Sequence, residues 1–198
     1  LGPNGAGKTT TIKMLTCYMP PTEGTIKFND LDAKEDSMEI RRMIGYLPES
    51  TPLYEDMSVR EYLDYICDLR EITGSRRKER LDAMIDTCGL AKMYGKNIGE
   101  LSKGYRQRVG IAQAMIHEPE ILILDEPTRG IDVGAKYEIY TLMNKLVSEG
   151  MSILMISSEL PEVLGMSDRV YVVASGKITG ELSREEATQE RVMELATQ

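Results

Sequence analysis

The first ten residues of the chain have the residue types and the spacing of a phosphate-binding loop. Gly2 and Gly7 are separated by four residues, and Lys8 and Thr9 follow directly. Glycines at this spacing let backbone N–H groups turn inward as an anion-binding nest at the start of a helix. The lysine then reaches the β- and γ-phosphates of a nucleotide, and the threonine hydroxyl binds the Mg²⁺ that bridges them. The candidate phosphate-contacting residues are Gly2, Pro3, Asn4, Gly5, Ala6, Gly7, Lys8, Thr9 and Thr10.

A second group of chemical residues follows the apolar run 122–124, which we expect to be a buried strand. Asp125 and Glu126 come directly after it, so both carboxylates are expected at the carboxyl edge of a sheet, where ligands of open α/β folds bind. Asp125 is expected to hold Mg²⁺, directly or through water, and Glu126 to orient and polarise an attacking water. A plain Asp-Glu-Pro turn is the alternative, and the phosphate loop upstream favours the chemical interpretation.

A third candidate site lies at residues 101–108. Ser102 is expected to cap the helix that follows it. Together with Gly104, the exposed start of that helix would offer N–H groups and a hydroxyl to a phosphate. Nothing in the sequence requires that phosphate to be bound by the same molecule.

Composition limits the classes of protein to consider. The 198 residues are enough for one large domain with a real core. With 24 basic against 32 acidic side chains the net charge is −8, which argues against binding nucleic acid or an anionic membrane through a broad basic face. The three cysteines show no ligand spacing, so reduced thiols in a cytosolic compartment are expected. No apolar run reaches the ~20 residues of a membrane-spanning helix, so we expect a soluble or peripheral protein.

Strands and helices alternate along the chain, which predicts an α/β fold with a mostly parallel sheet flanked by helices. Helices are expected over 9–18, 104–117 and 133–149, and buried strands over 121–124 and 152–156. Residues 55–100 are mostly helical and are predicted to form a helical subdomain inserted within a single domain, 1–198. A phosphate loop needs a strand immediately before it, so we expect a fragment whose N-terminal strands are missing.

Smaller signals mark the ends of elements. Ser175-Gly176 is expected to be a hairpin turn, and Ser183 is expected to start a terminal helix through a capping box with Glu186. His117, the only histidine in the sequence, stands at a helix end and is expected to be a surface capping residue rather than a catalytic one.

Taken together, these motifs resemble those of the nucleotide-binding domain of ATP-binding cassette (ABC) transporters, over essentially the whole chain. Residues 2–9 match the Walker A loop, 46–49 the region of the Q-loop, 101–105 the signature, 122–126 Walker B and 130–132 the D-loop. The resemblance implies a P-loop NTPase fold that binds ATP and Mg²⁺ and hydrolyses ATP. It adds Asp132 of the D-loop, with Ser102 and Gly104 of the signature, to the nucleotide-contacting residues.

The resemblance also implies partners. In this family two domains pair head to tail, so that each ATP lies between the Walker A loop of one and the signature of the other, and their closure drives a membrane permease. The implied protein is an ATPase subunit, peripheral on the cytoplasmic face of the membrane. Its partners are a permease, gripped around residues 49–54 and the helical subdomain, and a second cassette, identical or different. No nucleic-acid partner is expected.

Three motifs depart from the family pattern. Glu49 stands where the family usually has the Q-loop glutamine; a carboxylate still approaches Mg²⁺, together with Thr9 and Asp125, but cannot donate a hydrogen bond. The signature reads Leu-Ser-Lys-Gly-Tyr rather than Leu-Ser-Gly-Gly-Gln. Ser158 stands where the family usually has the switch histidine. Without that imidazole we expect slow hydrolysis with intact ATP binding, and Glu126 and Ser158 are the candidate catalytic positions.

The two parts of the chain resemble different branches of the family. Residues 1–127, especially 46–64 and 101–113, are similar to ATPase subunits of exporters, including the gliding-motility type. From Thr128 onward the chain is similar to the second ATP-binding domain of monosaccharide importers, which commonly lacks the switch histidine too. We therefore hypothesise a chimeric chain joined within the Walker B segment.

Two other functions stay open at this point. Ser158 permits a catalytically weak regulatory cassette that binds ATP only to set the state of a dimer. A soluble ABC ATPase acting on DNA or the ribosome is the other alternative. The negative charge, the short helical insert and the single cassette argue against it.

Overall fold

The structure, a computed structural model, describes residues 1–197. The helices are α1 (Lys8–Leu15), α2 (Ser37–Met43), α3 (Val59–Leu69), α4 (Gly74–Thr87), α5 (Lys103–Met115), α6 (Val133–Ser148), α7 (Leu160–Met166) and α8 (Gln189–Ala196). The strands are β1 (Lys27–Phe28), β2 (Leu31–Asp32), β3 (Ile44–Leu47), β4 (Ile121–Asp125), β5 (Ser152–Ile156), β6 (Arg169–Ala174) and β7 (Lys177–Ser183). The predicted α/β fold with parallel strands and helices is confirmed.

The chain folds into two compact units. The first unit combines residues 1–41 with residues 155–197, and the second unit is Arg42–Leu154. Within the second unit, residues 55–100 hold α3, α4 and two 3-10 turns, Ala91–Met93 and Ile98–Glu100. The assignment of 55–100 as a separate subdomain stays a prediction.

In the second unit, β3 and β4 pair in parallel, with Ile44 opposite Ile121 and Leu47 opposite Leu124. The strand order of this sheet is β3-β4-β5, and β5 continues past Leu154, the last residue of this unit. Helix α5 packs against β3 so closely that a Cβ atom on Gly45 would lie 2.3 Å from the Ala114 carbonyl oxygen. Because the two strands run parallel in this register, both of them end at the same edge of the sheet.

In the first unit, β6 and β7 form an antiparallel hairpin. Ser175 and Gly176 both have positive φ, 49° and 76°, as a two-residue hairpin turn of this kind requires, so the predicted turn is confirmed. The core beside the hairpin includes residues of α7, β6, β7 and α8: Val163, Val170, Val172, Leu182, Val192 and Leu195.

Two helix ends in the first unit differ from the prediction. Helix α1 ends at Leu15, because Cys17 takes a positive φ of 54° and the Tyr18 N–H returns to the Lys13 carbonyl at 2.8 Å. The prediction that Ser183 starts the terminal helix is wrong. The Glu186 carboxylate accepts from the Ser183 N–H and Oγ–H at 3.0 and 2.8 Å. The Glu186 N–H donates to the Ser183 carbonyl at 3.1 Å rather than to Oγ, and Ser183 is held extended opposite Arg169 as the last residue of β7.

His117 is not a surface capping residue, so that prediction is wrong as well. Its ring is partly buried, and Nε2 lies 3.0 Å from the Ile44 carbonyl oxygen. Because a carbonyl only accepts, Nε2 carries the proton, and no donor within the described residues reaches the buried Nδ1. The capping role belongs to Arg80, whose Nε and Nη2 donate to the carbonyls of Ile116 and Met115 at 3.0 and 3.2 Å.

The burial of His117 predicts a loss of stability in mild acid. Burial, with the positive charges of Arg70 and Arg80, lowers the pKa of His117 to about 4, whereas an unfolded histidine titrates near 6.5. The unfolded chain therefore binds the extra proton first, and the free energy of unfolding falls as the pH drops from about 6.5 to about 4. After a discount for solvent screening of a partly exposed ring, we expect a loss of about 2 kcal/mol.

Urea unfolding at pH 7 and pH 5, for the wild type and for His117→Gln, checks this. The glutamine amide retains a donor for the Ile44 carbonyl and does not titrate, so the variant should lose less stability between the two pH values. The same pH dependence in both proteins would show that other groups are responsible.

Candidate functional site

The phosphate loop is anchored in the first unit on the β6–β7 hairpin. The Leu1 backbone nitrogen donates to the Tyr171 carbonyl at 2.8 Å, and the Val173 N–H donates to the Leu1 carbonyl at 2.7 Å. At the far side of the loop, the N–H of Gly176 in the hairpin turn donates to the Ala6 carbonyl at 3.0 Å. The loop is therefore held at both sides by residues about 170 positions away in sequence.

The three glycines of the loop serve two different steric needs. A Cβ atom on Gly2 would lie 2.0 Å from the Val173 carbonyl oxygen, so the close anchoring on β6 leaves no room for a side chain. Gly5 and Gly7 have φ of +80° and +104°, a backbone region that other residues rarely adopt. The loop conformation thus depends on the glycine spacing from which it was predicted.

The inner side of the loop carries the donors that a phosphate needs. Lys8 Nζ lies 2.6 Å from the Gly2 carbonyl oxygen and 2.9 Å from that of Pro3, so the ammonium lies over the loop. Helix α1 begins at Lys8, and its N-cap Gly7 supplies no side-chain acceptor for the first N–H groups. Thr9 and Thr10 are exposed in the first turn. An ammonium, a helix start and two hydroxyls fit a polyphosphate with its cation.

The two acids after β4 lie in the second unit and are nearly buried. Asp125 is 5% exposed and Glu126 is 8% exposed. Burial and the charge of Asp125 raise the pKa of Tyr46 on the neighbouring strand β3. Glu126 has a positive φ of 52°, a left-handed conformation that strains a residue with a side chain. The residue types around Glu126 give no signal of this strain, and sequence reasoning missed it.

Glu49 leaves the sheet at the same edge as these acids. It stands two residues after Leu47, which pairs with Leu124, and Asp125 follows Leu124 directly. Its Oε1 forms an ion pair with Nη1 of Arg129. Sequence reasoning did not select Arg129, although a cation three residues after the acids was a visible signal. Carboxylate oxygens are ligands that Mg²⁺ prefers, so this edge has donors of the expected chemistry. Within residues 1–197, no group of three or more His, Cys, Asp and Glu side chains is placed to hold a metal ion.

The signature residues and Asp132 meet at one cavity in the second unit. Ser102 caps α5, and its Oγ accepts from the Tyr105 N–H at 3.4 Å. Asp132 caps α6, and its Oδ1 accepts from the Ala135 N–H at 3.0 Å. Gly104 lets the two helix starts approach, since a Cβ atom there would lie 2.7 Å from the Cβ of Ala135. The cavity has a volume of about 340 Å³ and is lined by Ser102, Gly104, Tyr105, Arg108, Asp132, Gly134, Ala135 and Glu138.

The two unusual signature residues make contacts of their own. A Cβ atom on Gly130 would lie 2.6 Å from Nζ of Lys103, so the lysine covers the D-loop glycine. The guanidinium of Arg108 lies 5.1 Å from the ring centroid of Tyr105. Arg108 also forms an ion pair with Glu138, which ties α5 to α6.

Ser158 lies two residues after β5, in the first unit, and its side chain is exposed. The preceding Ser157 is buried, and its Oγ accepts from the Glu159 N–H at 2.9 Å. The predicted residues therefore fall into two groups. The first unit contains the loop residues 2–10 and Ser158, and the second contains Glu49, Ser102, Gly104, Asp125, Glu126 and Asp132.

None of the helices described over residues 1–197 is long and apolar enough to cross a membrane.

Known proteins are similar to this chain in both sequence and fold. The chain is 43% identical over 206 residues to a ribose import ATP-binding protein, RbsA, of Bacillus cereus, which covers 98% of this chain and 41% of that protein. Over 100 residues, half of this chain and 20% of the relative, it is 63% identical to the xylose import ATP-binding protein XylG of Moorella thermoacetica. The chain thus spans about two fifths of the length of the ribose relative.

Among solved structures, the chain superposes on CbiO1 of Clostridium perfringens, described as part of an ABC transporter complex, with a TM-score of 0.87 and 27% identity. The match covers 98% of this chain and 79% of that one. The family model described as ABC transporter matches residues 1–129. The chain therefore belongs to the ABC transporter family, as an ATP-binding domain.

Proposed function

We propose that the chain binds Mg-ATP and hydrolyses it, as the ATP-binding subunit of a transporter whose permease is a separate membrane component. The observation that carries the proposal is the phosphate loop, where two left-handed glycines, the lysine ammonium and an uncapped helix start converge. This arrangement serves a di- or triphosphate and has no comparable use in a structural turn.

Four of the predicted residues have a distinct proposed role in that reaction. Lys8 neutralises the phosphates as a point charge, and Thr9 and Asp125 supply oxygen ligands for Mg²⁺. When bound, the ion neutralises charge that develops on the phosphates. Glu126 accepts a proton from the attacking water, and its near-complete burial strengthens that interaction, because electrostatic effects grow where water is excluded.

The cavity between α5 and α6 supports a head-to-tail pairing with a second cassette. Ser102 and Gly104 at the start of α5 and Asp132 at the start of α6 line the same space. A helix start with a hydroxyl is suited to a phosphate group, and in the proposed dimer that phosphate belongs to the ATP on the partner's loop.

The proposal also covers the transporter to which the chain belongs and its location in the cell. The relatives are named for ribose and xylose import, so we propose a sugar importer as the first transporter to test. The chain would then lie on the cytoplasmic face of the membrane, in contact with a permease. The net charge of −8 fits this better than a nucleic-acid partner.

A catalytically weak regulatory cassette is the second candidate function, and Ser158 favours it. Two residues after β5 the chain exposes a hydroxyl where the resemblance leads us to expect an imidazole. A hydroxyl with an ordinary pKa neither exchanges protons near neutral pH nor carries a positive charge.

The first functional prediction concerns the phosphate loop and compares the ATP affinity of Gly5→Ala with that of Gly24→Ala. Both glycines have φ near +80° and open space around them, so each alanine strains the backbone by about 1 kcal/mol. Only Gly5 lies in the loop. In isothermal titration, ATP affinity should fall about fivefold for Gly5→Ala and stay unchanged for Gly24→Ala. Equal losses would mean that the strain, rather than its place, determines binding.

The proposed base generates the second prediction. Glu126→Gln keeps the size of the side chain but cannot accept the proton, so phosphate release from Mg-ATP should fall on the order of 10²- to 10⁴-fold, while ATP still binds. Glu118→Gln is the matched control, because Glu118 is also a glutamate with positive φ, 59°, outside the site. Retained turnover in Glu126→Gln would remove Glu126 from the chemistry.

The switch position generates the third prediction. Ser158→His should raise the hydrolysis rate several-fold, because an imidazole can sense the terminal phosphate and help position water. Ser158→Ala, which removes the hydroxyl without adding a ring, should give no gain. An unchanged rate in Ser158→His, with ATP bound and no turnover in any form, would favour the regulatory cassette.

A further inference from the structure

We propose that Arg129 is a positioning residue for Glu49, and that the Glu49 carboxylate exchanges Arg129 for a divalent cation when Mg-ATP binds. This inference rests on the proposed function. It explains how a carboxylate serves at a position where the family resemblance leads us to expect an amide.

Glu49 and Arg129 follow two neighbouring strands and meet in an ion pair at the edge of the sheet. Glu49 follows β3, and Arg129 follows β4, the paired neighbour of β3. Between β4 and α6 the backbone turns twice, with the Arg129 N–H donating to the Glu126 carbonyl at 3.2 Å and the Ile131 N–H to the Thr128 carbonyl at 3.1 Å. These turns keep Arg129 at the strand edge, where its guanidinium meets the Glu49 carboxylate.

The ion pair between Arg129 and Glu49 balances the negative charge at this edge of the sheet. Glu49 adds a carboxylate to an edge that already contains Asp125 and Glu126, and like charges in one site oppose each other. An amide at position 49 would avoid this repulsion. Arg129 neutralises the added charge and fixes the direction of the carboxylate, so the edge tolerates a third acid.

The strength of the pair suits an exchange. The side chains of Arg129 and Glu49 are 59% and 46% exposed, and ion pairs of such exposure shift an equilibrium by no more than about fivefold. A divalent cation that binds the same oxygen directly, with phosphates as its other ligands, is a stronger competitor. The ion pair between Arg129 and Glu49 is therefore weak enough to break each time Mg-ATP binds.

Two consequences can be measured. Without Arg129, the free carboxylate should attract the cation more readily, so less Mg²⁺ should be needed for ATP binding. Without Arg129, the segment around Glu49 should also lose a contact, so its backbone amides should exchange hydrogen faster in the protein without Mg²⁺ or nucleotide. Both effects require Glu49.

The test compares Arg129→Gln, Glu49→Gln and the double variant with the wild type. Hydrogen exchange is followed over residues 47–53 in the protein alone, and the Mg²⁺ concentration for half-maximal ATP binding is measured by titration. Arg129→Gln should speed exchange and lower the Mg²⁺ midpoint about threefold. In the Glu49→Gln background the same change should alter neither quantity.

Arg169→Gln is the matched control, because Arg169 forms an ion pair of similar exposure, 64% and 51%, with Glu181 on the hairpin of the first unit. It should leave both quantities as in the wild type. Equal effects of Arg129→Gln with and without Glu49, or no effect at all, would overturn the inference. If no form binds ATP, the proposed function fails, and the exchange data alone decide whether Arg129 holds Glu49.

Discussion

The parallel pairing of β3 with β4 is the interaction on which the second unit depends. Because Leu47 stands opposite Leu124, the carboxylates that follow each strand emerge at one edge, and a one-residue slip would turn each strand's side chains to the opposite face. Helix α5 secures this register through Gly45, where any side chain would collide with Ala114. Ser102 caps the start of the same helix, so the packing of α5 positions both the acidic edge and the cavity between α5 and α6.

The hypothesis of a chimeric chain has a specific structural meaning in this arrangement. A join within the Walker B segment would fall in β4, the strand between β3 and β5. Glu49 would then come from the exporter-like part and Arg129 from the part that resembles sugar importers, and their ion pair would cross the join. A chimeric origin stays a hypothesis.

Local rules predicted the features that local chemistry determines. The glycine spacing of the phosphate loop, the helix cap at Ser102 and the hairpin turn at Ser175-Gly176 each depend on a few neighbouring residues, and each was visible in the sequence. Features that depend on distant partners were not. Arg80 rather than His117 reaches the end of α5 because α4 packs beside it, and Ser183 stays extended because it pairs with Arg169. Neither partner is close enough in sequence to be recognised by spacing.

At Glu126 the left-handed backbone lowers the stability of the fold, while the proposed chemistry needs the carboxylate at that position. Glycine or asparagine would adopt this φ with less strain, so the residue best suited to the turn is one without a carboxylate. A lineage released from the need for that carboxylate would gain stability by replacing it. The glutamate thus records a requirement of its side chain rather than of the fold, and position 126 is where a drift toward a non-catalytic form would first become favourable.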